Sequence, residues 1–382
     1  VYQATSHVGT NFPTTTFTVE LESLLGGYQD FKVFATEMVF IDQGAFNAGD
    51  GSSPGRFYAN GDNTKPWNIV SELGFERGDE DGFFDQEGSS STDNVHNGYP
   101  KGYESIFAMK YKITAQQYID FLNCLTRKQQ DTRTAADLSG TTVSNRYVMS
   151  NTSTVSNRNP IACDENIGTG AIEFYSDLDD TNPPNSNNDG ANIVVNYLTP
   201  QDILAYMDWT GLRPISELEY EKFCRGKDMP AVAGEFAWGT DTRNAAGNII
   251  NSGVLDETTS NVGIVAELFK VDPLRAGFAA TSSSSRTEAG GTFWGMMDIH
   301  NLGEFMYGIE SDNFSEYEYG DGALDADGNA EVPAWTTAFQ LLTTQDLTTP
   351  ILLPISQGKF IISPTTRSAY MGARGVRKVL QQ

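Results

Sequence analysis

The chain has 382 residues, with 50 Asp and Glu against 25 Lys and Arg, a formal charge of −25, 39% hydrophobic residues and 11% aromatic residues. That apolar share excludes global disorder. A surface this acidic repels nucleic acid and anionic lipid, and it offers oxygen ligands to hard cations.

Along residues 1–36, Phe17, Val19 and Leu21 alternate with Thr16, Thr18 and Glu20, a strand pattern, and Gly26-Gly27 makes a turn before Phe31. This stretch reads as a lead-in strand or linker, or the tail of a domain upstream. The chain starts at Val1 rather than Met, which fits a leader or upstream segment that was removed or left out. The main domain is expected over 37–382. Glu37–Gly51 reads as a hairpin turning at Gln43-Gly44. Residues 50–101 are rich in Gly, Ser, Asn and Asp and read as a surface excursion, with a solvated acidic run over 76–94.

Tyr103–Lys112 resumes strand character. Thr114 and Gln117 form a capping box, and Tyr118, Phe121, Leu122 and Leu125 follow on one face, which predicts a helix over 115–126. Residues 127–195 read as a second polar insertion, with DLDDTNPPNSNNDG near its end. Leu198–Gly226 is a helix, a tight turn and a helix. Thr199-Pro200 opens the first helix, because Pro has no N–H to lose at a helix start. Ile203, Tyr206, Met207 and Thr210 share one face, and Gly211 suits a left-handed cap. Pro214 stops continuation, and Ser216 with Glu219 caps the second helix, which ends near Arg225-Gly226. The aromatic segment 235–239 is expected to pack on that pair. Polar excursions recur at 240–292 and 309–360, around a distinctive patch, TFWGMMDIHNLGEFMY, at 292–307. The closing TTRSAYMGARGVRKV ends in a strand pattern, and no internal repeat is present.

No apolar run reaches membrane-spanning length, so membrane insertion is not expected, and the acidic surface argues against a nucleic-acid partner. Cys124, Cys163 and Cys224 are too few, and odd in number, for a disulfide framework. Cys124 and Cys224 fall in predicted helices, where a buried thiol is the default. The chain has no nucleophile elbow, no H-E-x-x-H, no P-loop and no dinucleotide fingerprint.

Six blocks, in order over about 37–378, resemble the formylglycine-generating enzyme, or sulfatase-modifying factor, superfamily. They are Met38–Ile41 with Gly44-Ala45-Phe46, Ile113–Tyr118 with Phe121-Leu122-Asn123, Asp202–Gly226, Phe236–Gly239, Asp298–Phe305, and Arg374–Arg377. The resemblance implies an α+β, decorated C-type-lectin-like fold with few short helices, short antiparallel strands and much irregular loop. The family's oxidases bind copper through two cysteines near the C-terminus, and this chain has none after Cys224. An iron-dependent branch takes histidines from a separate helical domain, whereas His7, His96 and His300 stand isolated. No copper or iron is therefore expected.

The resemblance also implies calcium at two places. Asn248 and Ile249 match the first, and Asp298 and Glu304 hold the ends of the second, with backbone carbonyls between them. The second block is one residue short, and Gly303 stands where the family has Trp. The alternative for it is that Asp298 caps a turn and Glu304 pairs with an arginine near the C-terminus.

Fold is carried by such a resemblance more firmly than activity. The loop-rich style is similar to Bacteroidota cell-surface proteins. The chain is expected to be a secreted, non-catalytic structural, adhesive or assembly subunit that self-associates or joins a cell-surface or virion assembly. The alternatives are a metal-dependent oxidase of the formylglycine-generating type, with its three cysteines converging, and a calcium-dependent carbohydrate- or receptor-binding module.

Overall fold

The computed structural model describes residues 32–52, 57–59, 62–75, 83–84, 95–181, 187–243, 246–261, 272–311, 313–335, 341–345, 347, 353–357 and 359–379. The chain divides into two units, Val1–Thr36 and Glu37–Gln382. The lead-in strand expected around Phe17–Leu21 lies outside the described residues, as does most of the acidic run over 76–94.

The elements of the second unit run in the order β1 (Met38–Ile41), β2 (Phe46–Ala48), β3 (Tyr58–Ala59), β4 (Asp62–Ile69), β5 (Phe83–Phe84), β6 (Ile106–Met109), α1 (Ala115–Leu122), α2 (Arg127–Arg133), β7 (Ile161–Cys163), β8 (Phe174–Ser176), α3 (Pro200–Thr210), α4 (Glu217–Arg225), β9 (Ile249–Ile250), β10 (Thr258–Thr259), α5 (Arg286–Ala289), β11 (Gly303–Tyr307), β12 (Leu341–Thr343), β13 (Phe360–Ile361), β14 (Met371–Gly372) and β15 (Val376–Lys378). This is an α+β chain of few short helices and small sheets, as the resemblance implies. The sheets are β1-β6-β15, β13-β12-β11-β14 and β2-β4-β3-β5, with ribbons β7-β8 and β9-β10. Among the described residues, the strand pairs are antiparallel except β11 with β14.

The expected hairpin over 37–51 does not form. Strand β1 pairs with β6, from Met38↔Met109 to Ile41↔Ile106, and β2 pairs with β4. Both strands form where they were expected, but their partners are set by tertiary packing. The insertion expected over 127–195 is also more than decoration. It contains α2 and the β7-β8 ribbon, and it places Leu138, Val148, Met149, Ile161, Cys163 and Phe174 in the larger core cluster. There they meet Tyr118, Phe121 and Leu122 of α1 and Ile203, Tyr206 and Met207 of α3. The two helices touch through aromatic edges: Phe121 and Tyr206 stand 5.8 Å apart at 81°, and Phe121 lies 5.5 Å from Trp209.

The helix signals in the sequence are realised as hydrogen bonds. Thr114–Gln117, Thr199–Asp202 and Ser216–Glu219 each form a reciprocal capping box. Gly211 closes α3 at φ 69°, where a side chain would be strained. Helix α4 is buried along its whole length, and Glu219, Glu221 and Arg225 are held in ion pairs. Arg213 grips Glu219 with two bonds, 2.8 and 2.6 Å, and Arg225 pairs with Glu221 at 2.8 Å. Around α4 a second cluster gathers Ile41, Ile106, Ala108, Phe223, Met306 and Val376. Phe236 and Trp238, stacked at 4.9 Å, belong to it, so the 235–239 segment packs against α4, the second helix of the pair.

Candidate functional site

The segment from Asp298 to Glu304 leads into β11 and carries one of the two predicted cation sites. Its backbone is sharply bent: Asp298 and Leu302 both adopt left-handed conformations, φ 62° and 74°. Met297 N donates to Lys110 O at 2.8 Å before the bend, and Gly303 N donates to Tyr370 O at 2.7 Å after it. Between these anchors the carbonyls of Asp298, Ile299 and Leu302 turn inward. They converge on one atom, the Lys112 Nζ, at 2.8, 2.9 and 2.9 Å. Lys112 leaves β6 just before α1, and its side chain is fully buried.

Glu304 completes the group. Its Oε2 stands 3.3 Å from Lys112 Nζ and accepts from Arg374 Nε at 3.0 Å. Arg374 spends its remaining donors on main chain: Nη1 on Met109 O and Lys110 O at 3.2 and 3.0 Å, and Nη2 on Met297 O at 2.8 Å. The Asp298 carboxylate points elsewhere, and both its oxygens accept from Gly277 N at 2.9 Å. Burial raises the Asp298 carboxyl to about 6 and lowers the Lys112 ammonium to about 8. His300 stands in the same bend, edge-on to Trp238 at 4.6 Å. Burial, and then the charges of Lys112 and Arg374, hold its pKa well below the usual value, so His300 is neutral at pH 7.

Of the four residues predicted as calcium ligands, Asp298 and Glu304 are thus brought to one loop, with Glu304 paired to an arginine near the C-terminus. Asn248 and Ile249 lie on the separate β9-β10 ribbon. Asn248 exchanges bonds with Ser260, donating its N–H to Oγ at 3.1 Å and accepting from the Ser260 N–H at 2.9 Å. Ile249 packs beside Leu274, Phe278 and Ala279. Leu274 in turn is clamped by the Asn301 amide, with bonds of 3.1 and 2.9 Å to its N–H and carbonyl. The two predicted places are therefore neighbours through Leu274, without sharing a ligand.

A grouping not anticipated from the sequence lies in the 127–195 stretch. The carboxylates of Asp177, Asp179 and Asp189 present oxygens within 4.8 Å of one another, the one such set of three or more His, Cys, Asp or Glu ligand atoms among the described residues. Asp177 and Asp189 are buried and Asp179 is exposed. Arg146 pairs with Asp177 and Asp180 at the rim. Hydrogen bonds from Thr181 hold the Asp179 carboxyl below its ordinary value. The sequence signal was the D-x-D spacing at Asp177–Asp179 with a third aspartate before Gly190, inside a run read as a polar insertion.

The cysteines do not meet. Cys163 belongs to the larger core cluster, Cys224 to the cluster around α4, and Cys124 is exposed, with no disulfide among them. Burial pushes the Cys163 and Cys224 thiols up to about 12.

No family model matches the chain, and no curated protein matches it. Among solved structures, the chain is similar to that of PvdO from Pseudomonas aeruginosa. The match covers 90% of this chain and 95% of that chain, at 14% identity and a TM-score of 0.38.

Proposed function

We propose that the chain is a non-catalytic extracellular subunit of a cell-surface or virion-type assembly. In this reading it is built on a decorated C-type-lectin-like scaffold of the formylglycine-generating type. The six sequence blocks in family order support the scaffold. One observation carries the loss of catalysis: the thiols are apart. Copper-dependent oxidation of that type needs thiolates gathered on one ion. Here two thiols are buried in different clusters, with pKa values pushed up to about 12, and the third is at the surface. The polar excursions between fixed elements support an assembly role, because a rigid core can display variable loops to a partner.

Light-scattering mass measured against concentration tests the assembly reading. A mass rising above 41.7 kDa with concentration is expected, and a strict monomer at millimolar concentration would overturn it. Oxygen consumption in the presence of copper and a cysteine-containing sulfatase peptide tests the non-catalytic reading. Turnover that vanishes on Cys→Ser substitution would establish an oxidase instead. A second reading is a calcium-dependent binding module, for which the Asp177, Asp179 and Asp189 oxygens, within 4.8 Å of one another, are the place to look for a metal ion. Glycan-array binding abolished by a chelator and by Asp177→Asn would select it.

A further inference from the structure

We infer that the Lys112 ammonium holds the place of a bound cation in the 298–304 loop, so that this loop is organised by the chain's own lysine and takes no divalent ion. Three carbonyls of one short loop turned onto a single point form the inner shell of a cation site. The backbone adopts two left-handed residues to make it, Asp298 and Leu302. Those oxygens sit 2.8 to 2.9 Å from Nζ, which is hydrogen-bond spacing. Calcium needs about 2.3–2.6 Å and six to eight oxygens. The number of donors matches as well. An ammonium has three N–H groups, and three carbonyls receive them, with Glu304 Oε2 beside the charge at 3.3 Å.

The charge balance points the same way. Lys112 and Arg374 against Asp298 and Glu304 sum to zero. A divalent ion added beside Lys112 would leave two uncompensated positive charges in a buried site. One that expelled Lys112 would leave one, and would empty the space its stem fills. That stem is pressed over Gly372, where an added Cβ would lie 3.1 Å from Lys112 Cδ. The carboxylate at the head of the loop is also engaged, since Asp298 faces Gly277 N rather than Nζ. The residues present therefore do not fit the calcium that the family resemblance implies at this loop. The inference concerns how the loop is held, and it stands whether or not the functional proposal does.

The test must locate the ion, because a bulk calcium titration does not separate this loop from the Asp177, Asp179 and Asp189 carboxylates. Crystals of the full chain soaked in terbium, a calcium surrogate, give an anomalous map. We expect no peak among the carbonyl oxygens of Asp298, Ile299 and Leu302, and continuous density for Lys112. A terbium peak there, with Lys112 displaced, overturns the inference. In solution, Lys112→Ala in EDTA is expected to melt several degrees below the wild type. Calcium is then expected to raise the melting temperature of the variant more than that of the wild type, since the opened shell can take an ion. A variant that melts like the wild type, or that gains no more from calcium than the wild type does, counts against the assignment. Should Lys112→Ala fail to fold, the terbium map of the wild type still decides.

Discussion

Arg374 Nε donates to Glu304 Oε2 at 3.0 Å, and neither side chain reaches solvent. The same guanidinium holds the carbonyls of Met109, Lys110 and Met297, so one residue ties the end of β6 to the 298–304 bend and to β11. Removing one partner of a buried pair leaves a charge and several polar groups without compensation. Arg374→Met should therefore cost about 3–5 kcal/mol in urea unfolding. The double variant with Glu304→Gln should cost less than the sum of the single changes, because it removes the stranded carboxylate. A loss below about 1 kcal/mol for Arg374→Met would mean that the pair does not hold the bend.

Gly303 shows why a large residue has no place at the start of β11. An added Cβ would lie 2.4 Å from Thr343 Oγ1, 2.9 Å from Gln345 Cβ and 3.2 Å from Tyr370 O. The strand is held on both sides there, by β12 and by β14. Gly303→Ala should destabilise the chain by about 1–3 kcal/mol through overpacking. The penalty should shrink in a Thr343→Ala background, where the first obstacle is gone. An equal penalty in both backgrounds would place the strain elsewhere.

What the sequence disclosed follows from the range of the interactions involved. The capping boxes at Thr114 and Ser216 and the left-handed Gly211 are local, spanning a few residues, and were legible. Helix α2 was not, because RKQQDTR offers no apolar face to read. The partners of β1 and β2 were hidden because alternation names a buried face and not the strand beside it. Lys112 was the hardest. A lysine after a strand reads as surface, and its interior place depends on carbonyls that lie 186, 187 and 190 positions further along the chain. The Asp177 and Asp189 carboxylates were obscured in the same way, lying in a stretch read as a polar insertion although both are buried.

The separated cysteines make a direct expectation for thiol chemistry. A thiol reacts as its thiolate, and burial that pushes a pKa up to about 12 leaves almost none at pH 8. Of the three cysteines, only the exposed Cys124 should react promptly with Ellman's reagent in the folded chain. All three should react in denaturant, and Cys124→Ser should abolish the native reaction. Two thiols of equal reactivity in the native chain would contradict the burial of Cys163 or Cys224 and reopen a thiolate metal site.

Alkaline titration should reveal the lysines around α4. Lys222 is buried and donates to Tyr103 O at 3.0 Å, and Lys101 is buried with its ammonium on His96 O. Burial lowers both to about 8, against an ordinary lysine value of 10.5, with Glu72 the main opposing charge. Between pH 8 and 10.5 the unfolded chain therefore holds protons that the folded chain has already released. Stability rises with pH wherever the unfolded state binds more protons, so the cost of burying these ammonium groups is fully present below pH 8 and is relieved above it. Lys222→Met removes one such group. Its stability relative to the wild type should be most favourable near pH 7 and should fall steadily as the pH is raised to 10. Urea unfolding at intervals over that range measures the difference directly. A difference that is constant with pH would show that Lys222 keeps its ordinary proton affinity in the folded chain, and a difference of opposite slope would show that its partners outweigh its burial.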